Sequence, residues 1–188
     1  MKANRLSPWS IFSDTVDKYP SHTAIWYQGK VTTFGELRDQ AVQLAQWMLS
    51  EGIRPGELVA MYMTNTPEFM VIWLAALCIG CAPAFINYHL ADKGLLHCLD
   101  VCDSKLLFVD EDAACQARIE HSRDDIEGRG TKIVIFDEIL RQKLTDAKRS
   151  VPDDEYRKGV KPEFPICLCY TRCVSSTIVS RPHTLLLH

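Results

Sequence analysis

The sequence predicts an α/β fold, a mostly parallel sheet flanked by helices and preceded by a β-hairpin. Three observations point there. Strand-like and helical segments alternate after the hairpin, the arrangement of a sheet covered by helices on both faces. The apolar runs "ELVAMYM", "APAFIN", "SKLLFVD", "TKIVIFDE" and "PICLCYT" lack a two-residue alternation, so they read as strands buried on both sides. The chain has 188 residues, 47% of them hydrophobic, which suits one domain with an ordinary core.

Each element has a local reason. Ile11 to Tyr19 reads as a short helix. Thr23–Tyr27 and Lys30–Thr32 are rich in β-formers and flank Gln28-Gly29, a tight-turn pair. Thr33 precedes Glu36 by three residues, a capping box, and the helix it starts places Leu37, Ala41, Leu44, Ala45, Met48 and Leu49 at helical spacing before Gly52. After the Pro55-Gly56 turn and the strand "ELVAMYM", Thr66 is expected to cap a second helix. Pro67 stands at its first position and Glu68 at the positive end of its dipole. That helix ends near Ile79, before Gly80. The pattern then gives the strand "APAFIN", a helix over Ala91–Val101 and the strand "SKLLFVD". One acidic-started helix follows over "EDAACQARIEHSRDDIEG", then the strand "TKIVIFDE" and a short helix over Glu138–Leu144. Ser150–Glu163 reads as a connecting loop, and "PICLCYT" as the last strand.

Composition narrows the function. A formal charge of −3 with scattered basic residues gives no reason to expect nucleic acid, and the mixed run Arg141–Arg149 reads as a solvated helix face. "MKANRLSPWSIF" is not a signal peptide. The eight cysteines lie mostly in apolar or helical patterns, which fits a reducing, intracellular setting. Cys78-x2-Cys81 and Cys98-x3-Cys102 approach a zinc-ribbon spacing, but all four sit in core-like stretches. Cys167, Cys169 and Cys173 lack histidine partners at usual spacing. Phe69 to Ile86 is 18 residues without a charge, yet Gly80 and Pro83 divide it, so helix, turn and buried strand explain it better than a membrane span. His89 and His97 read as capped or exposed rather than catalytic. Trp26 and Trp47 are expected in the core.

Read in order, "TFGEL", the helix after it, "GIRPGELVAMYMTNTPEF" and "WLAALCIGCAPAFIN" resemble the N-terminal landmarks of the AMP-forming acyl-CoA synthetases. "FINYHLADKGLLHCL" is similar to the fatty acid transport protein, or very-long-chain acyl-CoA synthetase, branch. The likeness covers roughly residues 8–171, so residues 1–171 are read as part of an AMP-binding domain. It implies the N-terminal subdomain of the acyl-CoA synthetase fold and ATP-dependent activation of a long- or very-long-chain fatty acid through an acyl-adenylate. ATP, Mg2+ and coenzyme A are the cofactors it implies, and fatty acid is the substrate. It also implies lipid transport, and a place peripheral to endoplasmic reticulum, peroxisome or lipid-droplet membrane.

In the family the last strand opens a loop of the form Tyr-Thr-Ser-Gly-Thr-Thr-Gly-x-Pro-Lys. Glycine there lets backbone N–H groups approach a polyanion. Tyr170 and Thr171 match the start of that loop and are the candidate cofactor-binding residues. Arg172 and Cys173 then stand where serine and the first glycine belong, and no glycine follows Gly159. The family's later elements, including the C-terminal lid, have no counterpart in these residues. No catalytic or metal-ligating residue is assigned. The abrupt change predicts that residues 172–188 are a non-homologous tail, a frameshifted exon or retained intron, since Arg-Cys-Val is encodable by a donor-like AGGTGCGT. The fragment is therefore expected to be inactive alone. Two alternatives are a partner-binding or regulatory fragment, with a sheet edge free to self-associate, and a membrane-associated lipid-handling protein.

Overall fold

The computed structural model describes residues 7–160 and 163–170. Helix α1 (Pro8–Lys18) leads into a hairpin of β1 (Thr23–Tyr27) and β2 (Lys30–Thr33), then α2 (Phe34–Ser50). Next come β3 (Leu58–Tyr62), α3 (Pro67–Cys78), β4 (Ala82–Phe85), α4 (Asp92–Cys102) and β5 (Leu106–Val109). Helices α5 (Ala113–His121) and α6 (Arg123–Gly128) lead to β6 (Lys132–Ile135), α7 (Glu138–Thr145), the single turn α8 (Glu155–Lys158) and β7 (Leu168–Cys169). The hairpin is antiparallel. The main sheet is parallel, in the order β6-β5-β3-β4-β7.

Strand side chains alternate between faces, and here each face meets its own core. Val59, Met61, Leu106, Phe108 and Val134 pack against α1, α2, α3 and α7. Ala60, Tyr62, Ala84, Leu107, Val109 and Leu168 pack against α4, α5 and α6. The result is three layers, as expected, and it explains why the strand sequences show no polar face.

Several local rules act as the sequence implies. Gln28 and Gly29 both have positive φ, 49° and 79°, the geometry of a tight hairpin turn. Glu36 N–H donates to Thr33 Oγ1 at 3.2 Å, and Thr33 N–H donates to Glu36 Oε2 at 2.8 Å, which completes the capping box. Gly80, at φ 75°, turns the chain where a Cβ would lie 2.7 Å from Val160 Cγ2. Beside it, the buried Arg157 donates to the Cys78 carbonyl at 2.5 Å and pairs with Asp154, so a cation closes the negative end of α3.

Other expectations are corrected. Helix α1 starts at Pro8 rather than Ile11, because Ser7 accepts from Ser10 N–H at 3.1 Å and proline suits the first turn. Thr66 precedes α3 in extended conformation but makes no capping bond, and its buried Oγ1 has no partner. The long acidic helix breaks at Ser122, whose N–H bonds back three residues to Ile119 instead of four. The 150–163 connection contains α8, pinned by Arg157. The last strand is two residues long, since only Leu168 and Cys169 pair with β4. Trp26 is not core: it is 70% exposed on the outer face of the hairpin, opposite Val31. Trp47 is half-buried, its ring 6.1 Å from that of Phe108 in the first core.

Candidate functional site: the carboxyl rim of the sheet

Because the main strands are all parallel, their carboxyl ends share one rim. Helix α3, following β3, joins the first core, while α4 and α5, following β4 and β5, join the second. The chain thus leaves neighbouring strands toward opposite faces, and such divergence opens a crevice at the strand ends where ligands of α/β sheets bind.

A buried carboxylate organises this rim. Asp110 follows β5, and its Oδ2 accepts from Thr64 N–H at 3.0 Å and from Thr64 Oγ1–H at 2.6 Å. Its Oδ1 accepts from Asp112 N–H at 2.9 Å, and its own N–H donates to the Tyr62 carbonyl at 3.2 Å. Tyr62 O–H donates to the Leu90 carbonyl at 2.6 Å and accepts from Arg118 Nε–H at 2.9 Å. Burial pushes the Tyr62 phenol up, with Arg118 pulling the other way. The loops after β3, β4 and β5 are therefore tied by one network whose members satisfy one another. Asp112 caps α5 by accepting from Cys115 N–H at 2.9 Å. Burial, helped by Asp112, pushes the Cys115 thiol up to about 11, which makes it a poor nucleophile. Arg141 bridges Glu68 (3.0 Å) and Glu111 (3.1 Å), joining α3, the β5 end and α7.

Tyr170 lies where β7 reaches this rim. It is half-buried against the second core, and its O–H donates to the Cys98 carbonyl of α4 at 2.7 Å. The phenol thereby fixes the end of β7 to the helix beneath it. Thr171, the other candidate, and the tail lie outside the described residues. Asp110 and Thr64 were not singled out by the sequence. The only available signal was an acidic residue closing the apolar run "LLFVD", which a strand-end turn explains equally well.

Nucleotide chemistry can be tested against the donors present. A triphosphate needs several converging N–H groups that glycine allows to approach closely. The residues after Tyr170, Thr171-Arg172-Cys173-Val174-Ser175-Ser176, offer no glycine, so the residues present do not fit that group. Among the described residues no cluster of three or more His, Cys, Asp or Glu could hold a metal ion. Cys78 and Cys81 belong to the first core and Cys98 and Cys102 to the second, so the sheet itself separates the two halves of the zinc-like spacing. Among the described residues no helix is long and apolar enough to cross a membrane. His89 is exposed and follows a turn in which its N–H donates to Asn87 Oδ1 at 2.9 Å.

A family model described as AMP-binding enzyme matches residues 12–171. The very long-chain fatty acid transport protein of Cochliobolus heterostrophus is 32% identical over 128 residues, 68% of this chain and 20% of that protein. Long-chain fatty acid transport protein 2 of Rattus norvegicus is 31% identical over 98 residues, 52% of this chain and 16% of that protein. The chain thus spans about a fifth or less of the curated relatives it matches. Among solved structures, a Mycobacterium tuberculosis fatty acyl CoA synthetase superposes with a TM-score of 0.75 at 20% identity, covering 87% of this chain and 32% of that one. The inhibitor-bound N-terminal domain of FACL13 from the same organism gives 0.76 at 21% identity, covering 93% and 42%.

Proposed function

The chain belongs to the AMP-binding enzyme family, and we propose that its sheet and helices form the N-terminal part of a fatty acyl-CoA ligase working through an acyl-adenylate. In that reaction a fatty acid carboxylate attacks the α-phosphate of Mg-ATP, releasing pyrophosphate, and the thiol of coenzyme A then displaces AMP. Substrates of long or very long chain follow from the relatives' names, fatty acid transport proteins. Tyr170 and Thr171 are read as the start of the phosphate loop, with Tyr170 anchoring the strand end to α4. These 188 residues by themselves are proposed to be inactive. One observation carries this: a family match that runs to residue 171 meets Arg172 and Cys173 where the loop's serine and glycine belong. Loss of that electrostatic cradle is worth several kcal/mol of barrier. ATP–pyrophosphate exchange with a long-chain fatty acid is expected to stay at the blank, and exchange above it overturns the inactivity.

Residues 172–188 are proposed to be a translated intron or frameshifted exon. The test is full-length sequencing of the transcript across the codons for Tyr170 to His188. A message continuing into a glycine-rich loop supports the reading, and one whose frame ends after His188 sinks it.

A second reading is a partner-binding fragment. It rests on β7, which among the described residues pairs only with β4 and leaves its outer edge open. Concentration-dependent association on a sizing column favours it. Peripheral contact with an intracellular membrane (endoplasmic reticulum, peroxisome or lipid droplet) rests on the exposed Trp26–Val31 pair, since tryptophan suits lipid–water interfaces. Co-sedimentation with phosphatidylcholine vesicles, lost on Trp26→Ser, tests it.

A further inference from the structure

We propose that Cys167 and Cys169 form a two-thiol clamp for a soft, thiophilic metal or metalloid centre of low coordination number, with trivalent arsenic as the model ligand. The two residues are separated by Leu168, which points into the second core. Positions i and i+2 of a strand share a face, so both thiols lie on the opposite side of β7, the side on which Phe85 stands in register with Cys169. Their sulfurs are 3.9 Å apart. Two thiolates on one tetrahedral ion at the ordinary zinc–sulfur length are separated by about 3.8 Å, so the strand already holds the pair at a chelating distance. Little side-chain freedom remains to be lost when both sulfurs engage one centre.

Access and ligand number define the class. The other described cysteines are 0–5% exposed, whereas Cys167 is 9% exposed and Cys169 is half-buried. Among the described residues no third donor completes a set, which disfavours ions that demand four ligands and suits a centre content with two sulfurs. Two thiols on one face at this separation suit a condensation that consumes both. With phenylarsine oxide both S–H protons leave with the arsenyl oxygen as water, two As–S bonds replace the As–O bonds, and arsenic stays trivalent.

The test uses the full chain, reduced and then freed of reductant, with phenylarsine oxide as probe. One equivalent is expected to remain bound in excess 2-mercaptoethanol and to be stripped by 2,3-dimercaptopropanol. Cys167→Ser and Cys169→Ser are each expected to weaken retention about 100-fold, the loss of an intramolecular second bond. Cys173→Ser, the control for the one cysteine outside the described residues, is expected to retain the probe. Near-UV circular dichroism establishes that each variant is folded. Retention by either single variant equal to the parent, loss in Cys173→Ser, or no bound arsenic in the parent overturns the proposal.

Discussion

Strands β3 and β7 run in the same direction and end on the same rim, yet they are held in different ways. β3 lies at the centre, paired with β4 and β5 and covered by both cores, and its end is fastened through Thr64 to the carboxylate of Asp110. β7 is an edge of two residues, paired only with β4 among the described residues, and the Tyr170 phenol fastens its end to α4 by donating to the Cys98 carbonyl. The rim network that organises the strand ends is thus concentrated at the centre, while the residues resembling a phosphate loop depart from the edge.

The largest effect should come from the two cores. Phe108, fully buried on β5, is expected to cost about 3–5 kcal/mol when replaced by alanine. Leu168→Ala on β7 is expected to fall near the low end for a buried leucine, about 2 kcal/mol, because an edge site can collapse around the loss. Urea unfolding measures both. Equal losses would break the distinction between centre and edge.

The rim gives the next contrast. Asp110→Ala strands the Thr64 and Asp112 donors and is expected to cost about 3 kcal/mol, whereas Tyr170→Phe removes the hydroxyl that donates to the Cys98 carbonyl and is expected to cost about 1 kcal/mol. Asp110→Asn, which keeps the shape and an acceptor, should fall between them. If Tyr170→Phe proves the more damaging, the edge is anchored more firmly than the centre.

Much of this arrangement was legible in the sequence, for reasons that differ by element. The hairpin, α2 and the buried strands announce themselves because turn chemistry, a capping box and continuous apolar runs are local. The turn α8 was not legible, because a lone Arg157 acquires meaning only through a distant partner, the Cys78 carbonyl, and the break at Ser122 was not, because a serine in an acidic helix does not mark the residue whose N–H bonds back three positions, to Ile119, instead of four. Thr66 shows the converse. It satisfies the sequence rule for a cap, and its hydroxyl is nevertheless buried without a partner. Asp110 was missed because its role depends on β3 and β5 being neighbours, which the chain order β3-α3-β4-α4-β5 does not state.

The thiols sharpen the contrast by pH. Burial holds Cys78 and Cys81, in the first core, up at about 12, against an ordinary value of 9.0. A raised thiol value means the folded state keeps its proton where the unfolded chain releases it. Stability is then full below pH 9 and declines as pH rises from 9 toward 12. At one unit above the ordinary value each thiol should remove about 1 kcal/mol. Cys78→Ala is expected to flatten part of this alkaline slope, measured by urea midpoints between neutral pH and pH 10, at the cost of a small cavity. An unchanged slope would mean that the first core admits water more freely than its burial indicates.

The smallest expected change sits on the hairpin, and it isolates what exposure alone does. Trp26 is 70% exposed and Val31, its cross-strand partner, is 52% exposed, whereas Trp9 is 2% exposed in the first core. A side chain that touches little beyond its own ribbon contributes little to the fold, so Trp26→Ser should shift stability by less than about 0.5 kcal/mol. The same substitution should remove most of the red-shifted, acrylamide-quenchable tryptophan emission and leave the blue-shifted emission of the buried rings. If instead stability falls as it does for a core aromatic, the outer face of the hairpin is covered in solution, by a second copy of the chain if the loss depends on protein concentration, and Trp26 marks a packing surface.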